Sequence, residues 1–290
     1  MGSVVQKRDA CFACGGRRRH QLAGLTGRAL FGCPDCLAEW IEGDTGIESA
    51  AYSYGHVERD PLVQDYLSSR AGRFVRYLRA LAPHPGRLLD VGCGGGHFML
   101  AAASAGWECI GAELADEAAQ VARDRTGMPV IAGDASRWVA SGKHYDAVCL
   151  WGVVEHVTDP ATLLEAAHSV LRPGGLLVLE TPNAAGMFRK VSRLASRASR
   201  GRIVRPLLET LGAGHVVWLS RTSVRPIFAR TGFDVVDIRG SQNHTGILMH
   251  RFAGLPPIPR LAFSAGTAVL NTTALPLGAP NQLLAAGRKA

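Results

Sequence analysis

The sequence predicts an α/β fold, a mostly parallel β-sheet with helices on both faces, preceded by a small N-terminal module. From residue 85 onward, short apolar runs alternate with helix-like segments, as expected when crossover helices join parallel strands. Four of the seven cysteines form two Cys-x-x-Cys pairs within the first 48 residues, a length that buries too little core to fold without a metal. The 290-residue chain is long enough for one α/β core and this appendage.

The first strand of the predicted sheet ends in a glycine-rich turn. After a short apolar run, Asp90, Gly92, Gly94 and Gly96 follow the pattern Asp-x-Gly-x-Gly-x-Gly, with Cys93 between the first two glycines. Glycines at alternate positions permit positive φ angles and a close approach of the backbone to a ligand. We therefore expect these five residues to bind a cofactor. Nicotinamide, flavin and S-adenosylmethionine sites all use such a turn, so the turn alone does not select among them.

Residues at the ends of the next three predicted strands complete the expected cofactor site. Glu113 ends the second strand, 17 residues after the last glycine of the turn, where a carboxylate can accept hydrogen bonds from both ribose hydroxyls. Asp134 follows the third strand, where it either meets an adenine amino group or only forms the turn. Leu114 and Ala135 follow these two acids, Trp151 ends the fourth strand, and all three are expected to contact the same cofactor.

These segments, with two later blocks, resemble the class I S-adenosylmethionine-dependent methyltransferases over roughly residues 85–240. The blocks are Glu-His-Val-Thr-Asp-Pro at 155–160 and Leu-Arg-Pro-Gly-Gly-Leu-Leu-Val-Leu-Glu-Thr-Pro-Asn at 171–183, which look like the bacterial small-molecule branch. The resemblance implies a Rossmann-like sheet of seven strands, the last one antiparallel near 281–288, and S-adenosyl-L-methionine as cofactor. A nicotinamide-dependent dehydrogenase would share the glycine turn and Glu113, but it would not explain the two later blocks.

Three histidines are candidates for the general base that takes a proton from a methyl acceptor. His156 follows the fourth strand, at the sheet edge where ligands of open α/β sheets bind, and histidine titrates near neutrality. The alternative is a structural role in which His156 holds its own loop. His215 and His244 lie in the presumed lid and acceptor region, and each is a candidate base or acceptor ligand. Many relatives have an aspartate where this chain has Gly152, so a carboxylate that could assist is missing.

Residues 49–84 are predicted to form a helical cap that ends at Pro83-His84-Pro85-Gly86. In the class I methyltransferases that this chain resembles, such helices cover the cofactor, and a tyrosine or arginine there can touch the methionine carboxylate. Tyr54 is the candidate in this chain, and ordinary packing is the alternative role for the aromatic residues of the cap. The predicted domains are thus 1–48, 49–84 and 85–290, with a lid or acceptor region at 186–222.

The N-terminal cysteines predict a zinc-ribbon-like module. Cys11-x-x-Cys14 and Cys33-x-x-Cys36 are separated by 18 residues, which suits a two-knuckle site closed by four thiolates around a structural zinc ion. Disulfides or unligated core cysteines are the alternatives. A similar module occurs in the sugar C-methyltransferases that act on nucleotide-linked deoxysugars, although those chains are longer.

Residues 186–205 predict an amphipathic helix with a basic face. The segment holds seven basic residues and no acidic residue, in a chain whose formal net charge is +8. This face suits an anionic small-molecule acceptor, an acidic carrier protein or a nucleic acid, or it is only a solvated surface. The Asn/Asp-Pro-Pro-Tyr/Phe motif of enzymes that methylate nucleic-acid bases does not follow the fourth strand, which makes nucleic acid an unfavoured partner.

A biosynthetic small-molecule acceptor is therefore the favoured interpretation. The alternatives are an RNA or protein methyltransferase that captures a polymer with the module and the basic helix, and a non-catalytic zinc-binding interaction protein. No apolar run reaches the roughly 18–20 residues needed to cross a bilayer, and the first residues do not resemble a signal peptide. We therefore expect a cytoplasmic monomer or homodimer with reduced cysteines and no membrane partner.

Overall fold

The computed structural model of the chain describes residues 2–5, 7–25, 27–48, 61–142, 144–199, 214–241 and 257–290. The candidate residues Tyr54 and His244 lie outside these ranges, as do parts of the predicted cap and lid. An antiparallel sheet comes first along the chain. Its strands are β1 (Gly2–Val5), β2 (His20–Leu25), β3 (Arg28–Gly32) and β4 (Glu39–Glu48), in the order β1-β4-β3-β2.

A second sheet of seven strands positions the predicted cofactor residues. Its strands are β5 (Arg87–Val91), β6 (Glu108–Glu113), β7 (Val130–Ala132), β8 (Tyr145–Trp151), β9 (Leu171–Pro182), β11 (Phe233–Ser241) and β12 (Gln282–Lys289). Their order is β11-β12-β9-β8-β5-β6-β7, in which β9, β8, β5, β6 and β7 pair in parallel and β12 pairs antiparallel with both neighbours. The predicted α/β fold, including the antiparallel last strand, is confirmed.

Helices precede and connect these strands, and some of them begin at local sequence signals. They are α1 (Pro61–Leu81), α2 (His97–Ser104), α3 (Asp116–Thr126), α4 (Ala135–Ala140), α5 (Pro160–Val170), α6 (Met187–Ala198), α7 (Arg221–Arg230) and α8 (Pro257–Ala274). The Asp-Pro pair predicted after strand β8 starts α5, because Asp159 accepts hydrogen bonds from the backbone of Ala161 and Thr162. Ser220 starts α7 through a capping box with Ser223.

The N-terminal sheet is joined to the rest of the chain by a short strand, β10 (Val217–Trp218). It pairs antiparallel with the first residues of β4, with Val217 opposite Trp40 and Trp218 opposite Glu39. One continuous buried apolar cluster includes Cys11 and Phe12 of the module as well as residues of the large sheet. The module and the sheet domain therefore share a core, and the predicted domain boundaries remain a prediction.

Helix α1 supplies the described part of the predicted cap. It ends at Leu81, before the Pro-His-Pro-Gly segment, as the sequence predicts. Its Phe74 packs edge-on against Phe98 at a ring-centroid distance of 5.0 Å and stacks on Trp151 at 6.3 Å. The cap is thus held against the carboxyl ends of the strands. Among the described residues, no helix has the length and apolar character needed to span a bilayer.

Candidate functional site

The glycine-rich turn between β5 and α2 has the backbone conformation that its sequence predicts. Gly92, Gly94 and Gly96 have φ angles of 68°, 52° and 81°, in the left-handed region that favours glycine. A Cβ atom at Gly92 would lie 2.6 Å from Val153, and one at Gly96 would lie 2.5 Å from Thr126. Both the dihedral angles and the packing therefore require glycine in this turn.

Glu113, at the carboxyl tip of β6, is bonded to that turn. One carboxylate oxygen accepts the backbone N–H of Gly94 at 2.9 Å, and the other accepts the N–H of Ala115 at 3.2 Å. A carboxylate offers about four acceptor positions, so two hydrogen bonds leave acceptor capacity for ribose hydroxyls. The side chain that sequence analysis assigns to ribose thus also anchors the glycine turn.

Asp90 lies at the end of β5 below the turn and is 1% exposed. Neither of its carboxylate oxygens has a hydrogen-bond partner among the described residues. Burial, with a further contribution from the nearby Glu113 carboxylate, raises the pKa of Asp90 well above its usual range. A buried acid without a partner under a glycine turn suits a site that receives a polar ligand. The thiol of Cys93, in the same turn, is also buried, and this burial raises its pKa.

Asp134 acts as the N-cap of α4. Its Oδ1 accepts hydrogen bonds from the backbone N–H of Ser136 at 3.0 Å and from the Ser136 hydroxyl at 2.5 Å, and these bonds lower the pKa of Asp134. The turn-forming role is therefore present in the structure, and the adenine contact stays a prediction. Ala135 is the first residue of α4, and Leu114 is 60% exposed beside Glu113. Their cofactor contacts also stay predictions.

Trp151, at the end of β8, belongs to a buried polar network that sequence analysis missed. Glu180, which is 3% exposed, accepts hydrogen bonds from Trp151 Nε1 and from Arg70 Nε, each at 2.7 Å. The Arg70 guanidinium also lies 4.7 Å from the ring centroid of Trp151. Burial lowers the pKa of Arg70, but Glu180, Tyr66 and Glu155 together outweigh this effect, and the net pKa is raised. In the sequence, Glu180 is an acidic residue inside the apolar run of β9, and this is the signal from which the network could have been predicted.

His156 and His215 meet where the loop after β8 faces the segment before β10. Their ring centroids are 4.7 Å apart, in an edge-on arrangement. The Nδ1 atom of His156 lies 3.1 Å from the carbonyl oxygen of Gly214. A carbonyl oxygen can only accept, so Nδ1 carries the proton and Nε2 is the basic nitrogen of His156.

Glu155 lies beneath these two histidines. It is buried, accepts a hydrogen bond from the Thr181 hydroxyl at 3.1 Å, and has a pKa raised by burial. Its carboxylate and one nitrogen of each histidine lie within 4.8 Å of one another, a donor set that could hold a divalent cation. The sequence placed His156 after the fourth strand and His215 in the presumed lid and acceptor region, and the fold brings the two into contact.

The four N-terminal cysteines converge as predicted. Their sulfur atoms lie within 4.8 Å of one another, with 3.6 Å between Cys11 and Cys36 and 3.6 Å between Cys14 and Cys33. These distances far exceed the S–S bond of about 2.05 Å and approach the edge of about 3.8 Å that a tetrahedral zinc site requires. The backbone N–H of Gly16 approaches Cys14 Sγ at 3.4 Å. The residues present therefore fit a closed four-thiolate site.

The basic helix α6 differs from its prediction as an open cationic face. Arg189 and Arg193 both form ion pairs with Glu39, the first residue of β4, whose side chain is 5% exposed. The Arg189 side chain is itself only 4% exposed. These two of the seven basic residues are thus paired within the chain, and a role of the others in binding an anionic acceptor or a polymer stays a prediction. Tertiary packing pairs Arg189 and Arg193 with an acid about 150 residues earlier in the chain.

Residues 63–238, more than half of the chain, match the family model described as a methyltransferase domain. The chain belongs to this methyltransferase family. The match and the fold confirm the sequence resemblance to class I S-adenosylmethionine-dependent methyltransferases. The match begins within α1, and the cysteine module precedes it in the chain.

Curated proteins are similar in sequence to part of this methyltransferase. A ubiquinone biosynthesis O-methyltransferase from Cereibacter sphaeroides is 38% identical over 133 residues, which cover 43% of this chain and 54% of that protein. The chain therefore matches about half the length of its curated relatives.

Two solved structures share the fold. A geranyl diphosphate methyltransferase in complex with S-adenosylmethionine gives a TM-score of 0.54 at 15% identity and covers 85% of this chain and 94% of that chain. An S-adenosylmethionine-dependent methyltransferase from Archaeoglobus fulgidus gives 0.50 at 18% identity, with coverages of 77% and 94%. At these identities, the likeness concerns the fold alone.

Proposed function

We propose that this protein transfers a methyl group from S-adenosyl-L-methionine to a hydroxyl group of a small-molecule acceptor. The observation that carries the proposal is the glycine turn tied to Glu113 at the carboxyl edge of a methyltransferase sheet. The O-methyltransferase names of the curated relatives support an oxygen acceptor. The pairing of Arg189 and Arg193 with Glu39 counts against capture of a polymer by α6.

The residues of the turn and of the neighbouring strand ends suit this cofactor. Gly92, Gly94 and Gly96 would lie against it, in keeping with their positive φ angles, and Glu113 would accept its ribose hydroxyls with its spare acceptor capacity. The buried carboxyl of Asp90, which has no hydrogen-bond partner within the described part of the chain, would face the same ligand. When bound, S-adenosyl-L-methionine supplies an electrophilic methyl group and leaves as S-adenosylhomocysteine.

His156 would remove the proton of the acceptor hydroxyl. The Gly214 carbonyl holds the proton of His156 on Nδ1, so Nε2 would be the nitrogen that takes the proton as the acceptor oxygen attacks. The hydroxyl proton would pass to Nε2 while the new carbon–oxygen bond forms. His215, in edge-on contact with His156, would help to fix the plane of its ring. His244 remains a further candidate base or acceptor ligand.

We further propose that Cys11, Cys14, Cys33 and Cys36 hold one structural zinc ion. Four thiolates leave no open coordination position, so the metal would stabilise the module and take no part in methyl transfer. The module is small and its core is continuous with that of the methyltransferase domain, which supports a stabilising role.

The test is incubation of the purified chain with methyl-labelled S-adenosyl-L-methionine and two acceptor pools. One pool contains small hydroxyl compounds, such as 3,4-dihydroxybenzoate and other phenols, and the other contains total RNA. The proposal expects label in small molecules, as an acid-stable methyl ether, and none in RNA. A Glu113→Ala variant serves as the control for cofactor dependence. Label recovered only in RNA, or in the chain itself, would overturn the assignment of the acceptor.

A further inference from the structure

The segment between residues 214 and 220 connects the cysteine module to the histidine pair. On one side, β10 pairs with β4, and the backbone N–H of Ile41 donates to the carbonyl of Val216 at 2.9 Å. On the other side, the N–H of Val216 donates to the carbonyl of Glu155 at 2.8 Å. The segment therefore lies between the module and the loop that carries His156.

Glu39 holds this arrangement from the module side. It is directly opposite Trp218 in the β4–β10 pair, and its two carboxylate oxygens each bind one arginine of α6, Arg189 and Arg193. The Arg189 guanidinium also lies 4.3 Å from the ring centroid of Trp218. One buried carboxylate thus joins β4, β10 and α6 at a single point.

The residues held by this contact include those that orient His156. Gly214, whose carbonyl faces His156 Nδ1, and His215, whose ring contacts both His156 and Trp218, lie immediately before β10. The residues that lead into α6 are tied to the same segment, because the N–H of Ala184 donates to the carbonyl of Leu219 at 2.8 Å. Displacement of β10 would therefore move the carbonyl that sets the proton position on His156.

We propose that Glu39 is a positioning residue for the methyltransferase site: by binding Arg189 and Arg193 it fixes segment 214–220 and keeps the His156 proton on Nδ1. The catalytic meaning of this inference rests on the proposed role of His156 as base. The local opening of segment 214–220 and the tautomer of the His156 imidazole can both be measured without an acceptor. The cysteine module would then shape the active site rather than capture a partner.

Breaking the buried charge cluster should release the segment. Loss of Arg193 removes one of the two charged partners of the buried Glu39 carboxylate and leaves it bound to Arg189 alone, which weakens the contact that holds the segment. In Arg193→Gln, amide hydrogen exchange across 214–220 should become at least about tenfold faster, because local opening sets the exchange rate. Exchange in the glycine turn, residues 90–98, and the affinity for S-adenosylhomocysteine should stay as in the unmodified chain.

The second measurement observes the imidazole of His156. Long-range ¹H–¹⁵N spectra of histidine-labelled protein distinguish Nδ1–H from Nε2–H tautomers, and His156 should change from the Nδ1–H form to a mixture in Arg193→Gln. Arg193→Lys, which keeps the charge, should restore part of the Nδ1–H population. Arg197→Gln is the matched control, since Arg197 is exposed on the same helix one turn further along.

Glu39→Gln is the stronger perturbation and should show both effects to a larger extent. Should that variant fail to fold, the Arg193 variants decide the matter, because the Arg193 side chain is 21% exposed and its replacement should disturb the core less. Slow exchange across 214–220 together with an unchanged His156 tautomer in Arg193→Gln would overturn the inference. Both readouts are independent of methyl transfer, so this result is distinct from a failure to find an acceptor.

Discussion

Replacement of Glu113 provides the sharpest test of the cofactor site. Its carboxylate accepts the backbone N–H of Gly94 and that of Ala115, and it is proposed to accept ribose hydroxyls as well. Glu113→Ala removes the charged hydrogen bonds to ribose, which contribute about 1–3 kcal/mol in total. It also leaves the N–H of Gly94 without its partner in a turn of positive φ angles, which adds to the loss by making the turn less ordered.

The expected result is a Kd for S-adenosylhomocysteine that rises by roughly 5- to 150-fold, the equivalent of that free energy at 1.4 kcal/mol per tenfold change. Isothermal titration calorimetry measures it directly. Glu113→Gln should give an intermediate Kd. Its amide has one acceptor oxygen for the two backbone N–H donors, so one of these donors would face an NH₂ group.

Glu108→Ala is the matched control. Glu108 begins the same strand, about 16 Å from Glu113 at 3.3 Å per residue, and its exposed side chain pairs only with the exposed Arg87 among the described residues. Such surface pairs contribute about 0–1 kcal/mol to stability, so cofactor affinity should not change. Equal Kd values for Glu113→Ala and the unmodified chain would refute the assignment of the ribose site.

Three further results are expected. His156→Ala should lower kcat by about 10²–10⁴ with little change in the KM of the cofactor; a rate close to that of the unmodified chain would assign the proton to another group. Elemental analysis should find about one zinc ion per chain, and Cys33→Ser should lose it and lower the unfolding temperature, whereas full metal content in that variant would contradict the four-thiolate site. Burial and the Arg125 guanidinium lower the pKa of His97 from 6.5 to about 4. Because the unfolded chain then binds the proton more tightly, stability should fall as the pH decreases from 6.5 towards 4, and His97→Gln should flatten this part of a denaturation profile.

Much of the methyltransferase fold follows from local sequence. The alternation of apolar runs and helices predicts the parallel sheet, and the glycines of the turn must occur where the backbone adopts positive φ angles, as at Gly92 and Gly96. Glu113 follows that turn at a spacing set by one crossover helix. The cysteine pairs similarly predict their own convergence, because each Cys-x-x-Cys turn brings two sulfur atoms together.

Contacts between distant segments could not be predicted in this way. The basic face of α6 was expected to be open, yet Arg189 and Arg193 are paired with Glu39, and Glu180 binds Arg70 across 110 residues of sequence. Periodicity indicates which side of a helix is charged, but it contains no information about which element packs against that side. The sequence by itself thus determined the family, the cofactor turn and the cysteine cluster. Tertiary structure decided which charges are neutralised and which histidines meet, since both depend on long-range packing.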